Sequence, residues 1–236
     1  MIYGREILLI KDNQIIDNMK RIIIVCEGQT EQMFCERTLA PYMLGKGYII
    51  QAPTIKHSRG GIVKWEILQK QIETHLKSDP TAFVTTFIDY YGIYSKFGFP
   101  LWEDCEKIVD KNHRMSSLEA GMKGGIDGAF HNRFVPYMQL HEFEGLLFND
   151  INIIKDQIPQ QDLVGVAELE KTFNDYANPE MINNGATTAP SKRLSRIISG
   201  YNKIVYGDIL AETIGLVRIR NKSPRFNAWI TTLESL

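Results

Sequence analysis

Apolar positions fall along this chain in short β-branched runs separated by amphipathic stretches. Ile22–Cys26 reads Ile-Ile-Ile-Val-Cys, which predicts a strand buried on both faces, as inside a parallel sheet. The polar residues that follow, with Gln29 or Thr30 as cap, predict a helix to about Ala40, where Pro41 places a break or kink. Tyr48–Ile55 predicts a second strand. Ile62–Lys77 repeats Trp65, Leu68, Ile72 and Leu76 at helical spacing and stops at Asp79-Pro80. Ala82–Ile88 predicts a third strand. Trp102–Met115 predicts a helix with Trp102, Cys105 and Val109 inward, and the glycines of Gly121–Gly128 predict a mobile loop. Phe134–Leu140 predicts a fourth strand, made irregular or edge-placed by Pro136.

Beyond Phe148 the pattern is helical. Leu163–Ala177 carries Val166, Leu169 and Phe173 on one face, and Ser191–Tyr201 follows a turn-rich stretch. Ser223-Pro224 gives a cap and first turn for a last helix. Strands alternating with helices call for right-handed crossovers and a mainly parallel sheet. The expected fold class is therefore α/β: a mainly parallel sheet flanked by helices, with a C-terminal helical elaboration. The expected division is 19–150 for the sheet domain and 151–236 for the helical region packed on it. Residues 1–18 are a leader or an edge strand (Arg5–Lys11), with Met19 resembling a start site.

Composition changes this picture little. The chain has 236 residues, 44% hydrophobic and 23% charged, with a formal net charge of −1. Nucleic-acid binding would thus need a local patch rather than a global pull. No apolar run approaches the ~20 residues of a membrane span, and the apolar run Ile7–Ile10 is too short for a secretory signal. Cys26, Cys35 and Cys105 lack zinc-site spacing and read as reduced thiols, which points to the cytoplasm. Charge is unevenly placed. Residues 141–190 hold nine Asp or Glu against two Lys or Arg, and 191–225 hold eight Lys or Arg against two acids.

Candidate chemistry gathers where strands end. Glu27 ends the first strand and Asp89 the third, so in a parallel sheet both reach the edge where ligand sites form. Two carboxylates there repel unless a cation lies between them, and hard oxygen ligands suit Mg²⁺ or Mn²⁺. The competing reading is that each acid caps the helix that follows it. Glu142 and Glu144 follow the fourth strand, and one of them, Glu142 by preference, is expected at the same edge. His141 is a ligand, a general base or a hydrogen-bonded structural residue. His57, Arg59, Gly60 and Gly61 form a loop at the end of the second strand that could receive a phosphate. Lys192, Arg193 and Arg196 share a helix face that could meet a phosphate backbone or be solvated. Tyr90, Tyr91 and Tyr94 could stack on bases, line the pocket or equally well pack under the loop.

Glu-Gly-Gln-Thr-Glu after a hydrophobic strand, with an Asp ending a later strand, resembles the Toprim fold of primases, topoisomerases and the overcoming-lysogenisation-defect nucleases. More specifically, CEGQTE at 26–31, HSRGG at 57–61, FIDYYG at 87–92, FVPYMQLHEFEGLLF at 134–148, PEMINNGATTAPSKR at 179–193 and FNAWI at 226–230 resemble an uncharacterised bacterial Toprim-like family often encoded beside an ATPase. The resemblance implies a strand-end Glu and a downstream Asp-x-Asp that use Mg²⁺ on phosphodiester bonds. Glu27 and Asp89 match the first two positions, but Tyr91 stands where the second Asp belongs, unless Glu142 or Glu144 replaces it. With no primase zinc module and no room for strand passage, the implied activity is a Mg²⁺-dependent nuclease. Glu27, Asp89, Glu142 and Glu144 would hold metal, with Lys192 acting on the phosphate. The partners implied are DNA or RNA and an ATPase encoded nearby, with a homo-oligomer left open, in an anti-phage defence role. The rival expectations are a non-catalytic adaptor of the ATPase and a hydrolase of small phosphate compounds.

Overall fold

The computed structural model describes residues 19–56, 58, 61–183 and 185–236. The 1–18 segment, and with it the Arg5–Lys11 strand, lies outside the described residues. Five strands form the sheet: β1 (Lys20–Cys26), β2 (Tyr48–Gln51), β3 (Phe83–Asp89), β4 (Phe134–Val135) and β5 (Met138–Gln139). The order is β2-β1-β3-β4, with β5 continuing along β3, and all pairings among the five are parallel. The chain is thus α/β with a parallel sheet flanked by helices, as the alternating pattern requires and consistent with a Toprim-like layout. β1 and β3 are direct neighbours, in register from Ile22 opposite Phe83 to Cys26 opposite Phe87.

Alternation along β1 divides the core into two layers. Ile22, Ile24 and Cys26 face one cluster, and Ile23 and Val25 the other. The helices after β1 are α1 (Gln29–Phe34) and α2 (Ala40–Leu44), joined by a π-helical turn at Cys35–Leu39. They share the first layer with α6 (Ile151–Gln157), α7 (Val166–Asp175), α8 (Pro190–Ile197), α9 (Lys203–Ile214), α10 (Leu216–Lys222) and α11 (Pro224–Glu234). The opposite layer is α3 (Trp65–Ser78), α4 (Trp102–Cys105) and α5 (Lys111–Gly124). The C-terminal helices therefore provide a full covering layer for the sheet.

Aromatic rings lock that layer on. Phe34, Phe87, Phe143 and Phe226 are almost fully buried, and Phe34 meets Phe87, Phe143 and Phe226 edge-on at 5.9, 5.5 and 5.8 Å. Trp229 of α11 stacks on Tyr137 at 4.4 Å and donates its indole N–H to Thr85 Oγ1 at 2.9 Å.

Four local expectations are refined or corrected. The break or kink foreseen at Ala40 takes the form of a π-helical turn: Ala40 N–H bonds to Cys35 O, and this wider turn carries the helix into Pro41. The single fourth strand is two pieces because Pro136 has no N–H. The Thr86 hydroxyl steps into the ladder there, accepting from Tyr137 N at 3.0 Å and donating to Tyr137 O at 2.8 Å. The helix foreseen at Trp102–Met115 is split because Asp110 caps a new start, accepting from His113 N at 2.7 Å, and Val109 is 91% exposed rather than inward. The first half of the foreseen mobile loop at Gly121–Gly128 is the end of α5, which runs to Gly124, and a turn follows it. Gly121 lies so close to Pro100 that an added Cβ would be 2.7 Å from its carbonyl oxygen.

Trp229→Ala removes a ring that is 4% exposed and strands the Thr85 hydroxyl, so it is expected to cost about 3–5 kcal/mol in urea unfolding. Val109→Lys is expected to stay within about 0.5 kcal/mol. A Trp229→Ala loss under about 1 kcal/mol contradicts the packing account.

Candidate functional site

β1 delivers Glu27 one residue past its last ladder position, where its N–H still bonds to Phe87 O at 3.0 Å. Glu27 Oε2 accepts from the backbone N–H of Asp89, the last residue of β3, at 2.9 Å. Asp89 Oδ1 in turn accepts from Phe143 N at 2.9 Å, which fixes the turn at Phe143–Leu147 carrying Glu144. Glu31, in the first turn of α1, closes back on Gly28 N with Oε2 at 2.9 Å. That leaves Oε1 turned to the cluster, 3.9 Å from the Lys203 ammonium. Glu144 Oε1 lies 3.0 Å from the same ammonium. Four acids from three parts of the chain thus converge at the C-terminal edge of the parallel sheet.

Lys203 reaches them from the first turn of α9, which Asn202 caps by accepting from Ile204 N and Val205 N at 3.0 and 3.1 Å. The helix can come that close because residue 207 is glycine. A Cβ there would be 2.9 Å from Thr30 Cγ2 on α1. Arg37 pins the same helix through Asp208 at 2.6 Å.

The electrostatics are lopsided. Asp89, Glu31 and Glu144 are 4, 2 and 0% exposed, while Glu27 is partly exposed. Burial pushes the Glu27 carboxyl up to about 7, helped by the charge of Glu31 and opposed by the Asp89 N–H and by Lys203. Burial likewise pushes Glu144 up to about 7 against the pull of Lys203. Asp89 is raised well above the usual range by burial, then by Glu27. Burial works against the Lys203 charge, but Glu144, Asp89 and Glu31 outweigh it and raise its pKa. Glu31 Oε1 and Glu144 Oε2 are buried without a hydrogen-bond partner. A cleft of about 530 Å³ opens onto this group, lined by Glu27, Gly28, Glu31, Thr54 and Lys203 among others.

The structure brings together Glu27, Asp89 and Glu144. Glu142 lies to one side, with both oxygens occupied at the start of α8: Oε2 accepts from Ser191 N at 2.8 Å and Oε1 from Ser191 Oγ at 2.9 Å. The preference for Glu142 over Glu144 is therefore reversed. His141 is buried with a left-handed backbone (φ 69°), and its Nε2 lies 2.9 Å from Lys111 Nζ. Burial and the charges of Lys111 and Arg114 push it down to about 3, so it is neutral near pH 7.

Lys192 is exposed on α8. Arg193 donates to Thr188 O and Thr172 Oγ1, and Arg196 pairs with Glu168. These two arginines tie α8 to α7 instead of forming an open phosphate-binding face. His57, Arg59 and Gly60 lie outside the described residues.

Sequence reasoning missed Glu31 and Lys203. Glu31 sits one helical turn beyond Glu27 inside the very motif CEGQTE, so its spacing was a usable signal. Lys203 carries no local signal, because tertiary packing alone brings α9 to the sheet edge.

No group of three or more His, Cys, Asp or Glu side chains is arranged to hold a metal ion among the described residues. The donor set nonetheless suits a hard cation: only oxygen ligands, four acids facing one ammonium, and two buried oxygens left without hydrogen bonds.

Lys203→Met removes that ammonium. The loss is expected to be about 2–3 kcal/mol at pH 8, below the ~3–5 for a fully buried pair because Lys203 keeps 43% exposure. Carboxyls whose folded pKa is raised stabilise below their unfolded value of about 4.5 and lose that contribution as pH rises through about 7. The Lys203→Met penalty should therefore shrink at pH 5.5. A penalty that is equal at both pH values contradicts the assignment.

No curated protein and no solved structure matches this chain. Residues 26–234 match the model of DUF4276, a domain of unknown function, and span every element of the site just described; the chain belongs to that family.

Proposed function

We propose that this protein hydrolyses phosphodiester bonds of nucleic acid with a divalent cation, Mg²⁺ or Mn²⁺. The observation that carries the reading is the uncompensated negative charge at the sheet edge: Glu27, Glu31, Asp89 and Glu144 converge on one ammonium beside an open cleft. Such a surplus is relieved by protonation or by a cation.

Glu27 and Glu144 are the foremost candidates to hold the cation, with Glu31 Oε1 beside them. Asp89 acts largely by position, since its N–H orients Glu27 and its carboxylate orients the Glu144 turn. Glu144 thereby stands in for the carboxylate absent at Tyr91. A bound cation would lower the pKa of water and neutralise phosphate charge. Lys203, at the cleft wall, takes the role expected of Lys192 and holds a phosphate oxygen as charge builds there. Water oxygen bonds to phosphorus, the bond from phosphorus to the leaving oxygen breaks, and the products carry one phosphate and one hydroxyl end. Control by an ATPase partner and a role in anti-phage defence are part of this proposal and rest on the family resemblance alone.

A second reading, a non-catalytic adaptor, is favoured by one specific observation: the lysine is already paired with Glu144 at 3.0 Å, which partly neutralises the cluster. Incubation of the purified protein with single-stranded DNA, duplex DNA and RNA in Mg²⁺, Mn²⁺ or EDTA separates the two. Cleavage that needs the cation and falls at least ~10³-fold in Glu27→Gln is expected, with Lys192→Ala nearly unchanged. Cleavage that persists in EDTA or in Glu27→Gln overturns the proposal, as does failure to cleave any of the polymers with or without the ATPase partner.

The pH profile is a separate check. Glu27 and Glu144 are held to about 7, and protons compete with the cation. Activity at limiting cation is expected to rise by up to about tenfold per pH unit below 7 for each proton displaced, and to level off above about 8. A profile flat from pH 6 to 8 contradicts this.

A further inference from the structure

The acid cleft lies between two features that the hydrolysis reading leaves unused. One is the loop that follows β3. Ile93 and Phe99, each 4% exposed, anchor its two ends in the core, and Phe99 packs on Trp65 at 5.6 Å. Between the anchors the chain displays its tip. Tyr94 is 57% exposed and stacks on Phe97 with centroids 6.4 Å apart and planes 24° from parallel. The Lys96 ammonium lies 5.6 Å from the Tyr94 centroid and 5.4 Å from that of Phe97. An exposed tyrosine stacked on a second ring, on a loop tip between buried anchors, is a platform for a flat π-system.

The other feature follows β2. A groove of about 550 Å³ runs between this segment and α3, lined by Lys56, Glu66, Lys70, Gln71 and His75 among others. Gln71 pins the segment from behind, accepting from Lys56 N at 2.8 Å and donating to Thr54 O at 3.0 Å. Thr54 is also a wall of the acid cleft, so the groove and the cleft are two sides of one strip of chain. Among the described residues neither Lys56 nor Lys70 pairs with a carboxylate, and His75 Nε2 is buried without a hydrogen-bond partner. Among the described residues the groove therefore carries two unpaired lysines against one unpaired glutamate, Glu66, a net positive charge.

Sheet order places these features. β2, β1 and β3 lie side by side and parallel, so the segments that follow them, Lys56 after β2, Glu27 after β1 and the Tyr94 loop after β3, all leave the sheet at its C-terminal edge. Adjacent strands are about 4.8 Å apart, and Thr54 bridges Cys26, which is opposite Phe87, so the chain after β2 passes roughly 10 Å to the side of β3 at that level.

We infer that the substrate is single-stranded polynucleotide laid across the ends of β2, β1 and β3, with a base stacked on Tyr94 and a flanking phosphate held by Lys56 and Lys70. Bases within a duplex are stacked on one another and offer no face to a ring, whereas unpaired bases do. The inference rests on the phosphodiesterase reading for placing the cut between the two contacts, but the binding it requires is independent of cleavage.

The test is fluorescence anisotropy with the intact protein in EDTA. The probes are labelled single-stranded DNA, single-stranded RNA and duplex DNA of about 20 nucleotides, longer than the ~4–16 that a single-strand groove occupies. Single strands are expected to bind at least ~10-fold more tightly than duplex. Tyr94→Ala should weaken single-strand binding roughly tenfold, Tyr94→Phe should restore it, and Lys56→Glu with Lys70→Glu should weaken it and flatten its salt dependence. These positions are exposed, so the variants are expected to fold, with circular dichroism as the check. The DNA and RNA arms identify the polymer. Equal affinity for duplex and single strand, or unchanged binding in Tyr94→Ala, overturns the inference. If Tyr94-dependent binding holds but no condition yields cleavage, the hydrolysis reading falls while this one stands.

Discussion

One ammonium holds the sheet edge together. Lys203 lies 3.0 Å from Glu144 and 3.9 Å from Glu31, and its charge also reaches Asp89 and Glu27. Without it, four carboxylates would meet in a low-dielectric pocket with no positive side chain beside them, and the edge could persist only by taking up protons or a cation. Much of the C-terminal layer serves to deliver this lysine. Gly207 permits close approach of α9 to α1, Asp208 anchors the helix to Arg37, and the aromatic nest around Phe34 and Phe143 sets the spacing. Fold and site are coupled here: the layer that buries the sheet also supplies the cation that makes its acidic edge tolerable.

Carboxylates do two kinds of work in this molecule, and geometry separates them. Glu142 accepts from Ser191 at the start of α8. Glu180, 1% exposed, accepts from Arg225 N and Phe226 N at 3.0 Å each at the start of α11. Both satisfy helix N–H groups that would otherwise lack partners. Ser223 begins α11 as its sequence suggests, yet its hydroxyl does not cap; Glu180 supplies the acceptors from a distant stretch. Glu31 is split between the two kinds of work, one oxygen closing the first turn of α1 and the other facing Lys203.

The sheet was legible because its signals are local. β-branched runs marked β1 and β3, and parallel topology sufficed to place Glu27 and Asp89 at one edge, where the 2.9 Å contact between Glu27 and the Asp89 N–H joins them. The choice between Glu142 and Glu144 was not legible, because it turns on which carboxylate a helix start 49 residues away captures. The split of the helix at Asp110 was written in a capping residue that apolar periodicity overrode. Lys203 was hidden among eight basic residues of 191–225, since nothing local distinguishes a lysine that will be packed against acids from one left in water.

The central claim is that the acid cluster is built to take a divalent cation, and direct titration with Mn²⁺, followed by calorimetry and by the loss of free-ion paramagnetic signal, tests it most simply. The account predicts one saturable ion per chain, bound more tightly at pH 8 than at pH 6 and lost in Glu27→Gln, with Glu142→Gln much less affected. Absence of saturable binding at pH 8, with or without a single-stranded oligonucleotide present, would contradict it, as would binding that Glu27→Gln leaves intact.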